Sequence, residues 1–231
     1  MPGSCFRKII VREKFGAVMA EVEYLELVVE RLPEAFSGIR ILHLSDLHIT
    51  RWTKELQHWR EQIEPLTPDI AVITGDLGHR SWKWKKTLPN VQRLFSAIHA
   101  SLGTYFILGN HDSLDLGPAL AASGAVMLTN ESVIIERAGQ RFAIIGVAQH
   151  RRSDTDIPAA LQSVHATDFK LMLLHYPDLI HSFAARSVSI ITCGGQNSRR
   201  RNPALPIPRF TISQVSATRL NPVHIFGGKT S

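Results

Sequence analysis

Four short apolar runs punctuate this chain, and each stops at polar residues that can bind a metal or move a proton. Residues 39–44 end in Ser45-Asp46-Leu47-His48, and residues 70–74 in Gly75-Asp76. Residues 105–108 end in Gly109-Asn110-His111-Asp112, and residues 171–174 in His175-Tyr176-Pro177-Asp178. Short apolar runs bounded by turn formers read as buried strands. Trp52, Leu56, Trp59 and Ile63 recur at helical spacing between the first two runs, and Val91, Leu94, Phe95 and Ile98 between the next two. Buried strands alternating with helices imply an α/β fold whose sheet is covered on its faces. Ligands of such sheets sit beyond the carboxyl ends of the strands. Polar residues dispersed along the chain are therefore expected to meet in one pocket.

Other segments fit around this frame. Residues 22–29 alternate well enough for a strand, and 133–135 and 142–147, joined through Ala138-Gly139-Gln140, read as a hairpin. Residues 188–192 are read as one more strand. A chain of 231 residues suits one sizeable domain. We place it at 22–196, after an extension at 1–21 and before a tail at 197–231. The net charge of +6 comes from the end of the chain: residues 179–231 hold seven Lys+Arg and no acid. With Pro203, Pro206, Pro208 and Pro222 and no helical period, an irregular tail is expected. Arg199-Arg200-Arg201 has no aromatic platform beside it, so no specific nucleic-acid partner is expected. Cys5 and Cys193 do not make a disulfide framework. No transmembrane run and no signal peptide are read, which gives a soluble, cytoplasmic expectation.

Asp46-x-His48, Gly75-Asp76, Gly109-Asn110-His111-Asp112 and His175, in that order over residues 22–196, resemble the calcineurin-like metallophosphoesterase family. The phrases Leu44-Ser45-Asp46-Leu47-His48 and Gly194-Gly195-Gln196 look most like its bacterial phosphodiesterase branch. The resemblance implies a β-sandwich flanked by helices, with the site at the carboxyl ends of strands. It implies two divalent metal ions, Mn, Fe or Zn, for which carboxylate, imidazole and amide oxygen are suitable ligands. By resemblance Asp76 bridges the ions, Asp46 and His48 serve one, and Asn110 and His175 serve the other. His111 is implied as the acid for the leaving oxygen, with Asp112 orienting it, and the reaction as phosphoester hydrolysis, of a diester above all, by a metal-activated hydroxide.

One part of the pattern departs. The family closes its site with Gly-His-x-His before Gly-Gly-Gln, whereas Ile190-Ile191-Thr192-Cys193 stands there in this chain. Ile191 cannot bind a metal; Cys193 offers a thiolate, a weak substitute here. Reduced metal occupancy is expected, and the alternative function is a catalytically silent metal- or phosphate-binding domain. A frame change or truncation near this point is the favoured origin of the altered segment.

Several single residues have plainer readings. His43, inside a strand run, is expected to be packed or hydrogen-bonded. His79, His150 and His165 are expected at the surface, the first two in loops near the site. Trp52 and Trp59 fit a helix face. Ser81-Trp82-Lys83-Trp84-Lys85-Lys86 is read as an exposed loop leading into a helix near Leu88, with phosphate or an anionic membrane surface as the sharper partner reading. The substrate expected is a small phosphoester.

Overall fold

Alternation within each apolar run decides which layer each strand side chain enters. In a computed structural model of the protein, which describes residues 22–29, 31–79, 81–176, 190–193, 209–217 and 224–226, the chain forms two stacked sheets. The strands are β1 (Val22–Val29), β2 (Ile39–Ser45), β3 (Ile70–Thr74), β4 (Thr104–Ile107), β5 (Val126–Met127), β6 (Glu131–Arg137), β7 (Gln140–Gly146), β8 (Phe169–Leu174), β9 (Ile190–Cys193), β10 (Arg209–Ala217) and β11 (His224–Phe226). The first sheet has the order β1-β10-β2-β3-β4-β5 and the second β11-β9-β8-β7-β6. Helices α1 (Lys54–Ile63), α2 (Trp84–Phe95) and α3 (Leu116–Ala121) connect strands of the first sheet, and α4 (Ile157–Ala160) precedes β8.

On β2 and β3, Ile39, Ile41, Ile70 and Val72 face the second sheet, where they meet Phe142, Ile144, Phe169, Leu171 and Leu173. The intervening Leu42, Leu44, Ala71 and Ile73 face α1–α3, packing on Leu56, Trp59, Ile63, Val91, Leu94 and Leu120. A smaller cluster buries Ala143, Ile145, Met172 and Leu174 with Ala160 of α4. Period-two alternation with both faces apolar is what produces this helix–sheet–sheet–helix layering. Trp59 is buried as expected, but Trp52 precedes the helix; Thr53 caps it by accepting the Leu56 N–H at 3.2 Å. The Trp52 ring lies outside that first turn, under the Arg93 guanidinium, 4.0 Å from its centroid.

Strands β2, β3, β4 and β5 pair in parallel, as do β7, β8 and β9, so their carboxyl ends lie at one edge of each sheet. The hairpin β6–β7 turns at Ala138 (φ 49°) and Gly139 (φ 70°), the left-handed pair that a tight two-residue turn needs.

The expectation of an irregular tail is corrected in part. Residues 209–217 form β10, parallel to β1 and antiparallel to β2, and 224–226 form β11 beside β9. The first sheet therefore draws on the chain beyond residue 196. The four prolines that argued for irregularity all fall outside these strands, and Arg209–Ala217 is rich in residues that favour a pleated surface. Its apolar residues Phe210, Ile212 and Val215 recur at nearly period two, the spacing of a strand and not of a helix. The extension at 1–21, Gly194-Gly195-Gln196 and Arg199-Arg200-Arg201 lie outside the described residues. No helix among the described residues is long and apolar enough to cross a membrane.

Candidate metal centre

Parallel strands that end together release their next residues into a common space, but the chain must turn sharply to keep them there. Asp46 (φ 54°), His48 (φ 44°) and Asp76 (φ 54°) all adopt the left-handed conformation, uncommon outside glycine and tolerated best by Asp, Asn and His. The two loops are stitched together: the Asp46 N–H donates to Gly75 O at 3.1 Å, His48 N–H to Asp76 O at 2.9 Å, and Ile49 N–H to Leu77 O at 2.8 Å. Gly75 (φ 91°) and Gly109 meet back to back. A Cβ on Gly75 would lie 2.5 Å from Gly109 N, and one on Gly109 would lie 2.2 Å from Asp76 Oδ1. Both motifs begin with glycine because neither loop has room for a side chain there.

The third loop is fixed by carboxylates. Asp76 Oδ1 accepts the His111 N–H at 3.0 Å. Asp112 is fully buried; its Oδ1 accepts from Gly78 N at 2.8 Å and its Oδ2 from Gly109 N at 2.9 Å. Burial pushes the Asp112 carboxyl up to about 6, even though these N–H donors favour the ionised form. The expectation that Asp112 orients the His111 ring is therefore revised. It clamps the Asp76 loop to the Gly109 loop through their backbones, and so positions His111 only indirectly.

The donors converge from both sheets. One ligand atom each from Asp46, Asp76 and His175 lie within 4.8 Å of one another, the one such cluster among the described residues. His175 is buried between the sheets, and its Nδ1–H donates to the Thr74 carbonyl at 2.9 Å. That leaves the Nε2 lone pair facing Asn110 Oδ1 at 2.9 Å and Asp76 Oδ1 at 3.5 Å. An imidazole nitrogen, a carboxylate oxygen and an amide oxygen brought this close together make a donor set that fits a bound metal. His48 Nε2 lies 3.7 Å from Asp76 Oδ2. Burial holds the His48 imidazole below its ordinary 6.5 against the pull of Asp76 and Asp46, which keeps it neutral as a ligand must be. Its Nδ1 is buried with no hydrogen-bond partner among the described residues.

The structure thus brings Asp46, His48, Asp76, Asn110 and His175 to one pocket, with the exposed His111 at its mouth. His43 is hydrogen-bonded to Thr74 through Nε2 and Oγ1 at 2.8 Å, and His165 is exposed. His79 comes closer to the site than its loop position suggested. Its ring stacks on His111 with centroids 5.9 Å apart and planes within 4°, and His48 packs edge-on to both. His150 Nδ1 reaches Gly109 O at 3.2 Å.

Gln149 was missed by the sequence reading. Buried after β7, it accepts the N–H groups of His175 and Tyr176 on Oε1 and fixes the turn that aims His175. It follows the apolar run 142–147 as the other site residues follow theirs, and the same strand-end rule would have found it. Cys193 ends β9 opposite Leu174, and Ile191 pairs with Met172. Residues 190–193 are strand, in line with the strand read at 188–192, and their side chains lie outside the described set.

A family model for calcineurin-like phosphoesterases matches residues 39–182. Among curated proteins, the chain is 31% identical over 155 residues to the uncharacterized metallophosphoesterase YkoQ of Bacillus subtilis, covering 62% of this chain and 54% of that protein. It is 38% identical over 96 residues to a transmembrane protein with metallophosphoesterase domain from Danio rerio, 38% of this chain and 20% of that one. It is 37% identical over 86 residues to the UDP-2,3-diacylglucosamine pyrophosphatase LpxG of Chlamydia trachomatis, 35% of this chain and 26% of that one. The chain spans about half or less of the length of these relatives.

Proposed function

The chain belongs to the calcineurin-like phosphoesterase family, and from that premise we propose that it is a metal-dependent hydrolase of phosphoesters, with diesters as the favoured class. The observation that carries this reading is the convergence at His175, whose Nδ1 is taken up by the Thr74 carbonyl and whose Nε2 lies 2.9 Å from Asn110 Oδ1 and 3.5 Å from Asp76 Oδ1. Carboxylate, imidazole and amide oxygen suit Mn, Fe or Zn. Asp46 and His48 would hold one ion and Asn110 and His175 a second, with Asp76 between them. When bound, such a pair supplies Lewis acidity toward the phosphoryl group and a nucleophile at neutral pH.

The protein's own residues supply the rest. Asp112 and the two back-to-back glycines hold the loops in register, so the donors need little rearrangement before binding. The backbone N–H of His111 is anchored on Asp76 and its imidazole is exposed beside the donor set, which supports a role for it as the acid toward a leaving oxygen. The diester preference rests on the sequence phrases around Asp46 and Gly195. The pyrophosphatase named among the relatives fits the same broad chemistry at phosphorus. With Ile191 and Cys193 where the family places two histidines, ion affinity and turnover are expected to fall short of a complete ligand set.

The test is hydrolysis of bis(p-nitrophenyl) phosphate by the full chain with added Mn²⁺, against Asp76→Ala prepared in parallel. Turnover that depends on Mn²⁺ and on Asp76 supports the hydrolase. Ion binding without turnover supports the alternative, a metal-binding domain of the same family.

A further inference from the structure

We propose that the start of α2 and the loop after Asp112 form a docking surface for an anionic lipid membrane at the mouth of the site. Four large apolar side chains are markedly exposed among the described residues, and two of them flank this mouth: Trp82 at 71% and Leu114 at 62%. Trp82 lies three residues after His79, and Leu114 three after His111, two rings whose centroids are 5.9 Å apart. Each Cα is thus within about 11 Å of its histidine's Cα, given about 3.8 Å between consecutive Cα atoms.

The surface is built and anchored. The chain enters α2 through a 3-10 turn at Ser81–Lys83, and the helix begins at Trp84, four residues earlier than the sequence suggested. Trp84 is half-buried against the helix-side core, and Thr87 Oγ1 donates to Ile49 O at 3.2 Å, tying the first turn to the Asp46–His48 loop. Lys83, Lys85 and Lys86 are exposed around it, with Lys83 Nζ 4.4 Å from the Trp82 ring centroid. Charge supplies the partner's sign. Residues 77–115, which hold both segments, carry five Lys+Arg against two acids, the buried Asp112 and the exposed Asp115 beside Leu114, so the surface is net positive. A tryptophan beside lysines, with a second apolar side chain on the neighbouring loop, matches a headgroup interface: the rings settle at the acyl boundary and the ammonium groups meet lipid phosphates. A soluble polyanion would use the lysines and leave Trp82 and Leu114 in water.

Co-sedimentation of the full chain with vesicles tests this without any need for turnover, so it stands or falls apart from the hydrolase reading. Binding to equimolar phosphatidylcholine–phosphatidylglycerol vesicles is expected to exceed binding to pure phosphatidylcholine. Each lysine contributes roughly fivefold, so the Lys83→Ser/Lys85→Ser/Lys86→Ser variant should lose on the order of 100-fold. The Trp82→Ser/Leu114→Ser variant should lose at least tenfold on the same vesicles, and thermal melts should show both variants folded, because every altered side chain is exposed. An Arg199→Ser/Arg200→Ser/Arg201→Ser variant should bind as the parent does. The proposal is overturned if there is no preference for anionic vesicles, or if the Trp82/Leu114 variant binds normally, which would indicate general polyanion adsorption. Loss confined to the arginine variant would assign the binding to the tail and equally refute it.

Discussion

At the scale of single residues, the site depends on absent side chains as much as on present ones. Gly109 has Asp76 Oδ1 and N on one side and His175 Cε1 on the other, all within 2.8 Å of where a Cβ would stand. Gly109→Ala must displace the carboxylate that joins the donor set, and a displacement of about 1 Å costs on the order of 100-fold in activity. Melting temperature and Mn²⁺-dependent turnover should separate in this variant, with turnover falling far more. Asp112 offers the complementary case. Both its oxygens accept a backbone N–H, and an amide can keep only one of those bonds while turning an NH₂ toward the other donor. Asp112→Asn is expected to cost about 1–3 kcal/mol in urea unfolding. The sequence made both residues visible as motif members. It did not show that Asp112 binds loops rather than a ring, because that depends on which N–H groups the fold places around it.

At the scale of elements, the end of the second sheet opposite the site is held by charge. Asp168, just before β8, accepts from Arg141 of β7 through Nε at 2.9 Å and Nη2 at 3.3 Å, and from the His165 N–H at 2.8 Å. Burial disfavours the charged carboxyl, but Arg141 and the His165 N–H outweigh it and hold Asp168 below its ordinary 3.8. A depressed folded value stabilises the native state above the unfolded value, and this contribution is lost as pH falls through the folded one. Asp168→Asn should therefore lower stability by about 1–3 kcal/mol at pH 7, and the gap between variant and parent should narrow below about pH 4 in chemical denaturation. A gap unchanged at pH 3 would show that the ion pair is not its source. Strands β2, β3, β4, β7 and β8 were legible because they are short apolar runs with polar stops. β10 was not, since its pairing with β1 and β2 joins segments far apart in sequence, and prolines nearby masked its alternation. The start of α2 was placed late because Trp84 and the lysines around it carry little helical period by themselves, and the packing of Trp84 and Thr87 fixes the first turn.

At the scale of the molecule, two sheets stacked face to face let residues from both reach one point. His175 leaves β8 and crosses to the Thr74 carbonyl at the end of β3, so a metal held there would be coupled to the packing of the layers. That convergence was readable from the order of the motifs, whereas the role of Gln149 and the stacking of His79 on His111 required the folded arrangement. A ligand that binds only the native state raises stability by mass action, so a cation bound at this cluster would have a thermodynamic signature independent of catalysis. The most direct test is calorimetric titration of the metal-free full chain with Mn²⁺, in parallel with Asp76→Ala and His175→Ala. The donor geometry predicts saturable binding by the parent, a rise in its melting temperature with Mn²⁺, and at least a tenfold loss of affinity in each variant. Equal affinity in all three proteins would contradict it.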